Sequence, residues 1–178
     1  MKKIPLLFLI PVFLISCTSS SSDSTASAAK DSVAAVIVNL PYTASYSSNF
    51  VPGKPADVLT TLNNYKAWET ADMAAFRATL ADSSTLILPS GRVITGKSDS
   101  LVKGAKQFRD SLSKVALDVV AWTSIHSVDK NEDWVSVWYK ETDTYKTGKV
   151  DSANYQDDNR LQDGKIVLTS SHRQALPK

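Results

Sequence analysis

Along the chain the spacing of apolar positions changes repeatedly, and each change marks an element. Ile4 to Ile15 is an almost unbroken apolar run, well short of the roughly 20 residues a spanning helix needs. Thr18 to Ala29 is almost wholly Ser, Thr and Ala, a composition that buries too little surface to fold. Val33 to Leu40 is a short apolar arm, and Pro41 to Pro55 reads as loop. From Pro55 the spacing becomes helical, with Val58, Leu59, Leu62 and Tyr65 on one stripe. After a break near Thr70, Met73, Phe76 and Leu80 mark a second, short helix. Ser84 to Leu88 and Arg92 to Thr95 read as strands around a Pro89-Ser90-Gly91 turn. Ser98 is placed to cap a third helix that buries Leu101, Ala105, Phe108 and Leu112. The period then falls to two: Val115 to Val128, Trp134 to Tyr145, Ala153 to Leu161 and Lys165 to Ala175 are strands. Asp129 to Asp133 and Asp163-Gly164 are turns between them. This order predicts an α+β cone, a curved mixed β-sheet wrapped around three helices.

Composition sharpens the start of the chain. Met1-Lys2-Lys3 precedes the apolar run, which ends in Leu14-Ile15-Ser16-Cys17. That ending resembles the bacterial lipobox, in which a small residue lets the peptidase close and the Cys thiol takes a diacylglycerol. The single cysteine of the chain stands at the position the motif demands, and it excludes an internal disulfide or a CxxC pair. The expected organisation is a signal peptide over 1–16, a lipidated Cys17 with a tether and apolar arm over 17–54, and a folded domain over 55–178. Loss of Lys2 and Lys3 leaves 18 basic against 18 acidic residues, so no basic face for nucleic acid is expected. The membrane is then met through the N-terminal lipid only. Thr18 stands where an Asp would retain some bacterial lipoproteins in the inner membrane, which points to the outer membrane or cell surface.

Four segments carry a resemblance. Trp68-Glu69-Thr70-Ala71-Asp72-Met73 is similar to the helix break, and Leu80 to Gly91 to the first-strand entry, of the nuclear transport factor 2-like superfamily (SnoaL-like, ketosteroid-isomerase-like). Gly96 before a helix and Arg160 to Ile166 as the last hairpin complete the likeness over about residues 55–176. The fold hosts isomerases, cyclases, dehydratases, binding proteins and association modules, so function rests on the site. The resemblance implies a general-base Asp where this chain has Leu88, and a last-strand acid where it has Ser171. The oxyanion-binding Tyr of the first helix falls one residue from Tyr65. Neither inherited base is present.

Candidates for the site follow from alternation along strands. Asp157 and Asp158 point to opposite faces, so one enters the cone, with Tyr155 and His172 as possible neighbours of a perturbed carboxylate. His126 and His172 lie on strands, where a histidine is ordinarily a half-buried or surface residue. Trp134 and Trp138 share a face, and the length of the turn near Asn131 decides whether Trp122 and His126 join them. The expected ligand pocket comprises Tyr65, Trp68, Leu88, Trp122, His126, Trp138, Tyr155, Asp157 and His172. It is expected to be mainly apolar, to take a small apolar or aromatic molecule, and to use no metal or cofactor, since no HExxH, Cys/His cluster, phosphate loop or GxSxG occurs. Ligand binding without catalysis is the first reading. An enzyme using Asp157, Asp158 or His172 is the second, and a homotypic association module the third. A homodimer is expected through the outer sheet face, with Trp134 and Trp138, or Val135, Val137 and Tyr139, as its apolar patch.

Overall fold

The computed structural model describes residues 40–176; the expected signal peptide, lipidated Cys17 and tether, and most of the expected apolar arm, lie outside them. Seven strands form one sheet in the order β1-β4-β5-β6-β7-β2-β3. These are β1 (Phe50–Pro52), β2 (Leu80–Ile87), β3 (Val93–Lys97), β4 (Leu112–Ser127), β5 (Glu132–Tyr145), β6 (Val150–Gln162) and β7 (Lys165–Ala175). All neighbours are antiparallel except β2 and β7, which run parallel. The helices are α1 (Pro55–Thr70), α2 (Met73–Ala78) and α3 (Ser98–Arg109). The architecture is the α+β arrangement the sequence predicts. Among the described residues no helix is long and apolar enough to cross a membrane.

Local chemistry explains the joints. Pro55 opens α1, where its missing N–H costs nothing. Ala71 closes it in the left-handed conformation, φ 60°, and donates to the carbonyls of Ala67 and Trp68. Asp72 then caps α2 by accepting from the Ala75 N–H at 2.9 Å. Asp163 and Gly164, with φ of 52° and 70°, make the two-residue turn between β6 and β7.

Several expected details change. Leu80 begins β2 rather than ending the second helix, and Leu112 begins β4 rather than closing α3. Leu59 is 62% exposed, because α1 turns Thr61, Tyr65 and Ala67 inward instead. Ser98 is not a cap: it is buried in the first turn of α3, its hydroxyl 2.9 Å from that of Ser84. Phe108 is largely exposed, and Arg109 takes the buried place on α3.

The core lies on the concave face of the sheet. Val135, Val137 and Tyr139 of β5, Leu161 of β6 and Ile166 of β7 pack with Tyr65 of α1. Val135, Val137 and Tyr139 are therefore interior and cannot form an outer patch. Trp134 and Trp138, one residue out of phase, are left on the convex side. The turn between β4 and β5, residues 128–131, holds an even number of residues, and it alone sets the facing pairs up to the one-residue bulge at Val120. Trp122 pairs with Val137 and His126 with Asp133, whereas Ile125 pairs with Trp134. Trp122 and His126 therefore do not share the face of Trp134 and Trp138.

Candidate functional site

Helix α1 runs across the concave face and touches β5 and β6 at three levels. At its start, Lys54 Nζ lies 2.7 Å from Asp133 Oδ2, and Asp133 Oδ1 lies 2.8 Å from His126 Nδ1. These partners hold the Asp133 carboxyl below the ordinary range against the opposing effect of burial. At its middle, the Tyr65 hydroxyl donates to Asp157 Oδ2 at 2.9 Å. At its end, Trp68 Nε1 donates to Glu141 Oε1 at 2.9 Å.

The middle level is the most elaborate. Asp157 is only 5% exposed. Its Oδ2 accepts a second hydroxyl, from Tyr139 at 2.9 Å. Asn159, two residues along the same face, donates to the Tyr65 hydroxyl at 3.2 Å and to the Val135 carbonyl at 3.3 Å. The Asn159 carbonyl oxygen in turn accepts from Thr169 at 2.8 Å. Asp157 Oδ1 is buried and has no partner of hydrogen-bonding geometry. Ser171, directly opposite on β7, favours the carboxylate through its hydroxyl. Burial is the largest influence on Asp157 and raises its pKa, with the Ser171, Tyr139 and Tyr65 hydroxyls opposing it. Burial likewise raises both tyrosines, Tyr65 well above its ordinary value, so both phenols stay protonated and act as donors.

Toward the β5–β6 turn the concave face becomes acidic. Tyr139 stacks on Tyr155 with ring centres 5.4 Å apart and planes inclined by 13°. Beyond them Glu141 is pushed up to about 7, chiefly by burial, with Asp143 adding to the shift. Asp143 is raised too, again by burial first, and its Oδ1 is buried without a partner. Arg109 lies nearby, but its guanidinium donates to the carbonyls of Trp68 and Glu69, each at 3.0 Å. Those are last-turn carbonyls of α1 that need a donor. Arg173 at the rim donates to the Tyr155 hydroxyl at 3.2 Å and to both oxygens of Asp151 at 3.1 Å.

Of the residues expected in a pocket, Tyr65, Asp157 and Tyr155 fall together, with Trp68 one level away. His126 sits at the other end of α1, with Asp133. Trp122 has the concave register but is 53% exposed. Trp138 and His172 lie opposite Gln156, in phase with Asp158 and not with Asp157. His172 Nε2 is 3.9 Å from Asp158 Oδ2, so the histidine partners the outward aspartate. Leu88 lies past the end of β2, in the turn where its N–H donates to the Arg92 carbonyl. Tyr139, Glu141, Asp143, Asn159 and Thr169 had not been singled out for the pocket. The signal for Tyr139, Glu141 and Asp143 is the alternation Val135, Val137, Tyr139, Glu141, Asp143, an apolar face turning acidic along β5, while Asn159 follows Asp157 in phase on β6.

Two surface depressions, of about 470 and 490 Å³, lie elsewhere. The first is lined by Asn63, Lys66, Asp72 and Thr79, the second by Arg77, Asp82, Gln162 and Lys165, and neither includes Asp157. Among the described residues no group of three or more His, Cys, Asp or Glu is arranged for a metal ion.

The fold and this concave face define an NTF2-like protein architecture. No protein-family model matches the sequence, and no curated protein matches it. Solved structures do. An NTF2-like protein of unknown function from Exiguobacterium sp. 255-15 is 18% identical, with a TM-score of 0.54 over 65% of this chain and 98% of its own. One from Burkholderia pseudomallei K96243, also of unknown function, is 15% identical, with a TM-score of 0.56 over 68% and 92%. An LEH-like epoxide hydrolase of M. tuberculosis is 9% identical, with a TM-score of 0.57 over 67% and 83%. At these identities the likeness is one of fold.

Proposed function

We propose that the concave face is a binding site for a small molecule with an aromatic or apolar body, and that Asp157 Oδ1 is the acceptor that fixes it. One observation carries the reading: a buried carboxylate with two phenols on one oxygen and no hydrogen bond of full geometry on the other. Leaving a buried acceptor unpaired costs about 1–3 kcal/mol, and a ligand donor would recover that. Tyr65, Tyr139, Tyr155 and Trp68 supply the aromatic surroundings. Titration with Nile red, a neutral aromatic fluorophore, should show saturable binding that Asp157→Asn weakens about tenfold and Asp158→Asn leaves unchanged. Absence of saturable binding overturns the reading.

Proton transfer by Asp157 is a second reading, favoured by the burial that raises its pKa. A positioned base of that kind contributes typically ~10²–10⁴-fold. A hydrolase and isomerase substrate panel showing turnover that Asp157→Asn abolishes, without unfolding, would establish it.

Two features complete the proposal. The Leu14 to Cys17 pattern supports a lipid anchor in the bacterial envelope, so fatty-acid labelling should disappear in Cys17→Ser. Trp134 and Trp138 on the convex face support pairing with a second copy. Sedimentation at tens of micromolar should find a dimer, and Trp138→Lys should give a monomer.

A further inference from the structure

We propose that the polar group the concave face selects is a cation, an organic ammonium attached to an aromatic or apolar body; this rests on the reading of that face as a ligand site. The inference comes from an account of donors and acceptors. Asp157, Glu141 and Asp143 all face inward along β5 and β6, and none of them has an ion-pair partner within 4.0 Å among the described residues. The basic groups nearest them aim their N–H donors elsewhere, Arg109 at the carbonyls of Trp68 and Glu69 and Arg173 at Tyr155 and Asp151, although the Arg109 charge still favours the Asp143 carboxylate. Most neutral donors are spent as well: both tyrosine hydroxyls on Asp157, Asn159 on Tyr65 and Val135, and the Trp68 indole on Glu141, which leaves the Ser171 hydroxyl beside Asp157. Two oxygens remain buried without a donor while the carboxyls are ionised, Asp157 Oδ1 and Asp143 Oδ1, the latter within reach of the Glu141 carboxyl. What the three carboxyls lack is a cationic N–H donor in direct contact.

An ammonium supplies both. In a low-dielectric interior its attraction to unpaired carboxylates is strong, and aromatic rings beside it favour a cation further. An anion would meet three carboxyls of like sign, and a neutral molecule would satisfy hydrogen bonds but not charge. The competing account is that the carboxyls hold protons and need nothing else. The two accounts differ in what binding does to those protons. A cation favours the ionised carboxylates and expels protons, whereas a neutral ligand leaves them in place.

The test displaces Nile red from the full chain with three molecules sharing one body: 2-phenylethylamine, 2-phenylethanol and 3-phenylpropanoate. The amine is expected to bind at least tenfold more tightly than the alcohol at neutral pH, with the carboxylate weakest. Calorimetry near pH 7 in buffers of different ionisation heat should show proton release with the amine and none with the alcohol. Glu141→Gln and, independently, Asp143→Asn should shrink the amine's advantage to threefold or less, with the circular dichroism of each variant confirming its fold. If the alcohol displaces Nile red as well as the amine does, the cation assignment is overturned while the site stands. If Nile red itself does not bind, both fall. An amine advantage that persists in both variants removes the carboxyl pair as its cause.

Discussion

Asp157 and Asp158 are consecutive residues on β6, and their surroundings have nothing in common. Asp157 faces the helix, is almost wholly buried, and holds two phenolic hydroxyls on one oxygen. Asp158 faces away, accepts from Ser136 at 2.5 Å, and has His172 nearby with its side chain 31% exposed. Strand alternation alone separates them. The difference teaches where this domain concentrates unusual chemistry. The convex face solvates its charges or pairs them, as at Arg160 and Glu132. The concave face buries charge beside aromatic rings and leaves part of it unsatisfied.

The largest effect should come from removing each carboxylate in turn. Asp157→Ala strands the hydroxyls of Tyr65 and Tyr139, each worth about 1–3 kcal/mol when buried and unpaired. Relief of the carboxyl's own burial offsets part of that, so a net loss of about 2 kcal/mol is expected in urea denaturation. Asp158→Ala should stay within about 0.5 kcal/mol, as for an ordinary surface position. Equal losses would break the contrast between the two faces.

Much of this contrast was legible in the sequence, and the limits are physical. Alternation required Asp157 and Asp158 to part company, and the helical spacing of Tyr65 placed it on a buried stripe. The partners of Asp157 depended on register, which the loop between β5 and β6 sets and which no local pattern encodes. Local pattern alone therefore leaves Tyr139 eligible for an outer apolar patch and His172 for the neighbourhood of Asp157. Trp122 illustrates the same limit from β4, where the four-residue turn at 128–131 pairs it with Val137 and so separates it from Trp134 and Trp138. The interior also proved more acidic than the expected apolar cavity, because Glu141 and Asp143 follow Tyr139 in phase.

The acidic end offers the second test, through pH. Glu141 sits at about 7 in the folded protein against an ordinary 4.5. The folded state therefore binds more protons than the unfolded one between those values, and stability falls as pH rises through that window. Asp143 and Asp157, also raised by burial, act with the same sign. Carboxyls lowered by partners, such as Asp133 and Glu69, act with the opposite sign but at lower pH. Between about pH 5 and 8 the loss should be on the order of 2 kcal/mol, and Glu141→Gln should flatten it. The groups facing Glu141 are Trp68, Asp143, Asp157, Tyr139 and Tyr155, and both phenols, raised by burial, stay protonated across this range. Stability that rises over the window would contradict the burial of this end of the face.

The smallest effect separates the deep part of the concave face from its rim. Tyr139→Phe removes one of the two donors on Asp157 Oδ2 while Tyr65 still occupies that oxygen, so no acceptor is newly stranded. The cost should be about 1 kcal/mol, the net worth of one buried hydrogen bond. Tyr155→Phe removes a hydroxyl that only accepts from Arg173 at the rim, where water replaces it, and stability should hold within about 0.3 kcal/mol. Carboxyl resonances distinguish the two sites independently of stability. The Tyr139 hydroxyl favours the Asp157 carboxylate, so its loss should raise the pH at which Asp157 titrates by carbon NMR. Tyr155→Phe should leave that titration in place. If the two variants cost the same and neither moves Asp157, the two phenols on its oxygen are packing partners that do not tune its charge.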